Sequence, residues 1–215
     1  MRPHLLDLFC GAGGCSVGYS RAGFEVVGVD IAPQKHYPFE FHQADALEYC
    51  AEHGREFDVI HASPPCQAYS RARAVHKKEH PKLIPATRDA LISTGRIYVI
   101  ENVEGAPLHA CLMLCGTMFS LKTRRHRWFE SNVDLGFPPY SCSCQNQTGI
   151  GKLFNLHNTM QRNIFMDRNG YTSTANALRD SLEVPWMNMD EAQEAIPPAY
   201  TEWIGKQLIE RIFSC

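Results

Sequence analysis

The sequence predicts an α/β fold, a doubly wound and mostly parallel sheet carrying a small irregular insert. Two observations predict the sheet. Short apolar runs suited to buried strands alternate with helical stretches. The chemically unusual residues fall where those runs end, which is where open parallel sheets bind ligands. A third observation predicts the insert: the stretch over residues 132–178 is polar, irregular and interrupted by glycine and proline.

The elements follow in order. HLLDLF is an apolar run ending in CGAGG, a buried strand feeding a glycine turn. SVGYSRAG reads as a helix closed by Gly23, and FEVVGVDI as a second strand ending at Asp30. A helix-loop region leads to EFDVIHAS, a strand stopped by Pro64 and Pro65. ALISTGRIYVIENV reads as a fourth strand that ends in polar residues. After the insert, DEAQEAIPPAYTEWIGKQLIERIF returns to helix, with Trp203, Ile204, Leu208, Ile209 and Ile212 at helical spacing.

Bulk properties narrow the class. A chain of 215 residues suffices for one such domain and a small appendage. Its 44% hydrophobic residues supply a core, and 20% charged residues exclude a disordered tail. The net charge of −2 means that any nucleic-acid contact must use a local basic patch. There is no run of about 18 apolar residues, hence no expected membrane span. MRPHLLDLFCGAGG contains no small-residue cleavage site, so the expected location is cytoplasmic. Nine cysteines without a secretion signal read as reduced thiols rather than a disulfide framework.

Several motifs carry chemistry. DLFCGAGG places Gly11, Gly13 and Gly14 between strand and helix, where glycine permits a tight turn and close backbone approach to a ligand. Asp30 ends the next strand, where a carboxylate can accept from both ribose hydroxyls; Asp45 could meet an adenine amino group. Singly, each aspartate reads better as a cap or turn residue; in register with the glycines, they favour a nucleoside-type cofactor. In SPPCQAYS two prolines restrict the backbone ahead of Cys66. Without context such a cysteine is an apolar filler. Here ENV at 101–103 adds a carboxylate and an amide, and RRHRWF at 124–129 adds Arg125 and Arg127, whose alternation would put them on one face of a strand. A thiol, an acid and guanidinium groups at one sheet edge make a reaction site. The basic run holding Arg71, Arg73, His76, Lys77, Lys78 and Lys82 reads either as a phosphate-contacting loop or as an ordinary solvated one.

Taken in order, these motifs resemble those of cytosine-C5 DNA methyltransferases. DLFCGAGG is similar to the family's cofactor loop, SPPCQAYS to its nucleophile loop and ENV to its glutamate motif. TRRHR resembles a Gln-x-Arg-x-Arg motif, with Thr123 where glutamine is usual, and IPPAYTEWIGKQL resembles the C-terminal segment that returns to the cofactor. The resemblance implies a Rossmann-like, S-adenosylmethionine-dependent methyltransferase fold with a catalytic and cofactor-binding region over 1–131, a reduced target-recognition insert over 132–178 and a returning segment over 179–215. It implies catalytic roles for Cys66, Glu101, Arg125 and Arg127. Phe9, Gly11, Ala12, Gly13, Gly14, Asp30, Ile31, Asp45, Ala46, Pro65, Gly205 and Lys206 would hold S-adenosylmethionine. Gln67, Ser70, Arg71, Arg73, Lys77 and Lys78 would meet DNA around a flipped-out cytosine, with the positive field favouring the Cys66 thiolate. The expected form is a monomer.

Two departures bear on function. The insert is very short for target recognition, which implies relaxed or very short specificity, or help from a partner; such compact forms resemble phage-borne enzymes. Lys206 stands where the family usually has asparagine, which raises the alternative of carboxymethyl transfer from carboxy-S-adenosylmethionine. The same chemistry on RNA, or a silent DNA-binding relative, are the other rivals. Cys142 and Cys144 form a C-x-C pair with His157, Cys111 and Cys115 as candidate companions, but the spacing matches no strong zinc signature, so no metal is expected.

Overall fold

The most uniformly apolar strands lie at the centre of the sheet. In the computed structural model, which describes residues 2–67, 69, 81–144, 154–155 and 174–214, β1 (His4–Leu8) pairs in parallel with β4 (Val59–Ala62). Leu5, Leu6, Leu8, Val59, Ile60 and Ala62 are all fully buried. Such strands are covered on both faces, so their sequences run apolar without alternating. On one side of this pair lie β2 (Glu25–Asp30) and β3 (Glu40–Gln43), also parallel. On the other lie β5 (Ile97–Asn102), parallel to β4, then antiparallel β8 (Arg127–Ser131) and, beyond it, β6 (Leu112–Leu114). The seven-stranded order is β3-β2-β1-β4-β5-β8-β6. The chain leaves β1 toward β2 and later returns to β4, so the topological switch point lies between β1 and β4. A separate parallel pair joins β7 (Thr123–Arg124) to β9 (Phe154–Asn155).

The helices form as the sequence suggests, with two differences. α1 (Gly14–Ala22) ends at Gly23, whose left-handed φ of 119° lets its N–H reach the Tyr19 and Ser20 carbonyls. α2 (Ala46–His53) starts at Asp45. The expected fourth strand is shorter than read: ALIST belongs to α3 (Ile84–Thr94), and only Ile97–Asn102 is strand. Ile84, Thr87 and Leu91 recur at helical spacing on its buried face, and Gly95, left-handed at φ 70°, ends it. The β-branched Ile92 and Thr94 disguised that period. The C-terminal helical stretch is also broken. α4 (Thr174–Leu182) and α5 (Met189–Glu194) precede a break at Ala195–Pro197, and α6 (Pro198–Phe213) follows. No helix among the described residues is long and apolar enough to cross a membrane.

α6 packs against α1 at very short range, and this fixes the start of α1 relative to the sheet. A Cβ on Gly18 would lie 2.1 Å from Thr201 Oγ1 and 2.2 Å from the Pro198 carbonyl oxygen. Thr201 Oγ1 also donates to the Cys15 carbonyl at 2.8 Å. Across the sheet, Arg88 of α3 holds buried Glu130 of β8 through two bonds of 2.6 and 2.7 Å, and the His109 N–H donates to the same carboxylate.

Gly18→Ala should therefore destabilise the protein by about 1–3 kcal/mol, since the colliding atoms include backbone that cannot give way. Chemical denaturation checks this; an unchanged midpoint would mean that the two helices separate readily.

Candidate active site

The glycine turn after β1 is held by its neighbours rather than by its own bonds. Phe9 has a left-handed φ of 58°, uncommon for an aromatic residue, and Gly11 and Gly13 follow at 50° and 85°. The Gly11 N–H donates to Asp30 Oδ2 at 3.0 Å and the Cys10 N–H to the Val29 carbonyl at 3.1 Å, tying the turn to the end of β2. The Ala12 carbonyl accepts from Trp186 Nε1 at 2.8 Å. A Cβ on Gly14 would lie 2.4 Å from the Ile196 carbonyl oxygen, and one on Gly13 2.9 Å from the Pro38 ring. Nothing lies within 4 Å of a Cβ built on Gly11, so the turn is open there. Beside Asp30, Ile31 exposes 71% of its surface. Behind the turn, Asp7 is wholly buried; Ser16 Oγ donates to its Oδ2, while Oδ1 has no partner. Burial, with the nearby charges of Asp30 and Glu101, pushes the Asp7 carboxyl up to about 7 against the pull of Ser16.

A second cluster sits at the ends of β4 and β5. The buried Asn102 side chain donates to the Pro64 carbonyl at 2.8 Å, fastening the two-proline loop to β5. That loop presents a half-buried Cys66 within the field of Glu101, Arg127 and Arg125. Glu101 Oε1 lies 3.0 Å from Arg127 Nε, yet the alignment does not make a hydrogen bond, leaving that buried oxygen unsatisfied. Arg125 is 4% exposed, and its Nε and Nη2 have no partner. It is not on a strand with Arg127: it lies in the link between β7 and β8, where its carbonyl accepts from Tyr200 Oη at 2.6 Å. The two guanidinium groups therefore converge through a bend rather than by strand alternation.

The electrostatics differ from the sequence expectation. Burial and the Glu101 charge hold the Cys66 thiol above its ordinary value despite both arginines. Glu101 is itself raised by burial, against the opposing pull of Arg127, Ser63 and Arg125. Arg125 is pulled down to about 9 by burial and by Arg127. A polar chain missed by the sequence reading backs this cluster. Tyr19 Oη meets His61 Nδ1 at 3.0 Å, His61 Nε2 meets Ser63 Oγ at 3.0 Å, and Ser63 in turn acts to lower the Glu101 carboxyl. His61 is fully buried and held neutral, its pKa lowered to about 3 by burial. A histidine in the apolar run VIHA was the only signal for it in the sequence; around the glycine turn Tyr37 and Trp186 gave none, while Ile196 opens the C-terminal segment expected to return there.

Other expected residues fall into four groups. Asp45 caps α2, its Oδ1 accepting from Leu47 and Glu48 at 2.8 and 3.1 Å, with Ala46 buried behind it. Pro65 and an exposed Gln67 flank Cys66. Gly205 and Lys206 do not join the glycine turn. A Cβ on Gly205 would meet Ala22 and Tyr19 near the far end of α1, roughly 12 Å along that helix from Gly14. Lys206 Nζ is half exposed and pairs with Glu202 at 2.6 Å. Ser70, Arg71, Arg73, Lys77 and Lys78 lie outside the described residues, as do His76 and His157.

Comparison with known proteins agrees with this geometry. Residues 4–109 match the family of C-5 cytosine-specific DNA methylases. The type II methyltransferase M.HgiGI of Herpetosiphon aurantiacus is 31% identical over 48% of this chain and 92% of its own length. M.XorII of Xanthomonas oryzae is 31% identical over 48% of this chain but only 29% of its own length. The chain spans only 29–43% of the first three curated relatives it matches. The Entamoeba histolytica methyltransferase EhMeth has the same fold, with a TM-score of 0.66 at 11% identity over 99% of each chain.

Asp7 gives a pH signature. Its carboxyl ionises near 3.8 unfolded and near 7 folded, so the folded state keeps a proton that the unfolded state has lost. Stability contributed by this group is present below about 3.8 and is lost as pH rises toward about 7. Asp7→Asn should accordingly gain on the wild type across that window and run parallel above it, as measured by denaturation at each pH. A difference independent of pH would show Asp7 ionised throughout.

Proposed function

The chain belongs to the family of C-5 cytosine-specific DNA methylases, and from that premise we propose that it methylates C5 of a flipped-out cytosine in DNA through a covalent bond to Cys66. The observation that carries this reading is the buried, unsatisfied edge formed by Arg125 Nε and Nη2 and by Glu101 Oε1 around a cysteine. Cytosine offers complementary groups: O2 accepts from the guanidinium, N3 accepts from a protonated carboxyl, and the N4 amino group donates to it. Few other arrangements would use so many stranded polar atoms.

S-adenosylmethionine fits the remaining features, and when bound it supplies a methyl group on a positively charged sulfonium, which C5 takes up. The glycine turn, with open space at Gly11, suits close approach of its backbone-like part, and the stranded Asp7 Oδ1 favours a nearby cation. Phe9 and the exposed Ile31 would offer apolar surface for the base, and Asp30, which already accepts from the Gly11 N–H, would accept from the ribose. Lys206, paired with Glu202, gives no support for a carboxylate-bearing cofactor, so methyl rather than carboxymethyl transfer is the reading adopted.

The protein's own groups divide the work. A single proton moved from the sulfur to the carboxylate makes a nucleophile and an acid together; burial raises Glu101 and so favours the transfer, which also removes the Glu101 charge that opposes the Cys66 thiolate. The thiolate adds to C6, while the Glu101 carboxyl protonates N3 and absorbs the developing charge, so that C5 becomes an enamine carbon. After methyl uptake a base removes the C5 proton, the C6–S bond breaks to regenerate the thiolate, and N3 returns its proton to Glu101. Arg125 holds O2 throughout. All of these groups come from one chain, which suits a monomer; DNA is favoured over RNA by the family matched, and the type II relatives support a restriction–modification role.

The chain incubated with S-adenosylmethionine and duplex DNA carrying 5-fluorocytosine should form an adduct stable to denaturing electrophoresis, because fluorine blocks loss of the C5 substituent. Cys66→Ala should form none, and Glu101→Gln should slow trapping by about 10²–10⁴-fold. Equal trapping by Cys66→Ala would overturn the proposal, as would the absence of any adduct with the wild type.

A further inference from the structure

A second cluster lies apart from the reacting groups, and it involves residues that the methylation chemistry does not use. Cys115 follows β6, His126 is the residue between the two active-site arginines, and Cys142 and Cys144 lie beyond β8. Their ligand atoms all fall within 4.8 Å of one another. His126 Nε2 is 3.6 Å from Cys142 Sγ and 3.3 Å from Cys144 Sγ, and the two sulfurs are 3.2 Å apart. Thr117 Oγ1 bonds both the Cys115 and the Cys142 sulfur, at 3.4 and 3.8 Å. Cys115 is fully buried and the other three are half-buried, while Cys111, a companion suggested by sequence, is exposed and outside the cluster.

We propose that Cys115, His126, Cys142 and Cys144 bind one zinc ion in a structural Cys₃His site. The argument is geometric. Zn–S bonds of about 2.3 Å and a Zn–N bond of about 2.0 Å in a tetrahedron place sulfurs about 3.8 Å apart and sulfur about 3.5 Å from nitrogen. The separations among His126, Cys142 and Cys144 lie about half an ångström or so from this arrangement, and the Cys115 sulfur lies within 4.8 Å of all three. A disulfide is the competing state, but a sulfur–sulfur distance of 3.2 Å is far beyond the bonded value of about 2.0 Å. Three thiolates and a dication leave one negative charge, and Arg124 lies within electrostatic reach of Cys144 to offset it. The donor set of three sulfurs and one imidazole selects zinc over oxygen-seeking magnesium or calcium. The four ligands also complete a closed shell, leaving no open position for a substrate.

The site has a place in the fold. It ties the segment at 142–144 to two stretches already adjacent through the pairing of Leu114 with Arg127: the end of β6 at Cys115 and the link before β8 at His126. Metal binding would fix His126, and with it the backbone from which both guanidinium groups reach inward. Sequence spacing hid the site because Cys115 and His126 are separated by a turn and a strand, and the histidine of the cluster sits inside the arginine motif.

The test does not depend on activity. The full chain, purified under reducing conditions without chelator, is assayed for metals by plasma mass spectrometry and should hold one zinc per molecule. Cys111→Ser should retain it, Cys142→Ser should lower it to about a tenth or less, and His126→Cys, which preserves four donors, should keep it. Because a ligand variant can fail to fold, chelator-stripped wild type is also titrated with cobalt(II). Intense visible bands of tetrahedral thiolate coordination, saturating at one equivalent and erased by zinc, support the proposal. Metal-free wild type without cobalt bands, a Cys142–Cys144 disulfide in freshly reduced protein, or zinc unaffected by Cys142→Ser would each overturn it.

Discussion

The organisation of this protein turns on a cation placed where a protein interior least tolerates one. Arg125 is buried with two of its nitrogens unpartnered, and its only large compensation, Glu101, is shared with Arg127. A buried charge without satisfied hydrogen bonds costs several kcal/mol even after the protein relaxes, on the order of what a small domain has to spare. Such a cost persists only when the surroundings over-determine it. Here Tyr200 grips the Arg125 carbonyl, Arg127 leans on Glu101, and Asn102 pins the proline loop facing them. The stored imbalance is relieved by any planar ligand bringing an acceptor for Arg125 and an acceptor for a protonated Glu101.

The fold supplies that over-determination from a distance. β4 and β5 are paired neighbours, and Asn102, next to Glu101, holds the loop that carries Cys66 past the end of β4 through the Pro64 carbonyl. α6 packs on α1 and also holds Arg125 through Tyr200, which links the helix after the glycine turn to the buried arginine. The polar chain from Tyr19 through His61 and Ser63 toward Glu101 starts on that helix. A neutral histidine in the chain passes hydrogen bonding along without adding charge to an already charged cluster.

Much of this was legible in the sequence. The glycine turn, the strand ends at Asp30 and Glu101, and the proline-fixed Cys66 were read from local signals, because glycine, proline and apolar runs act over a few residues. What escaped depended on contacts distant in sequence. Trp186 bonds Ala12 across 174 residues, a contact that no local pattern encodes; the return of the segment at Ile196 to Gly14 was expected only from the family resemblance. Arg125 and Arg127 were correctly paired for the wrong reason, since a bend rather than a strand brings them together. The expectation that positive charge would lower the Cys66 thiol failed because burial and Glu101 outweigh both arginines, a balance visible only in three dimensions. Gly205, read as a cofactor contact, is a packing position, where its missing side chain admits Ala22.

The most direct measurement replaces the strained cation by an uncharged side chain of similar length. Arg125→Met removes the unsatisfied guanidinium while leaving Arg127 to balance Glu101. The account predicts that unfolding free energy is unchanged or rises by about 1–4 kcal/mol, while covalent capture of fluorinated cytosine falls by orders of magnitude. A variant that loses several kcal/mol yet captures the base at the wild-type rate would show Arg125 to be a structural residue, and the proposed base-binding edge would be wrong.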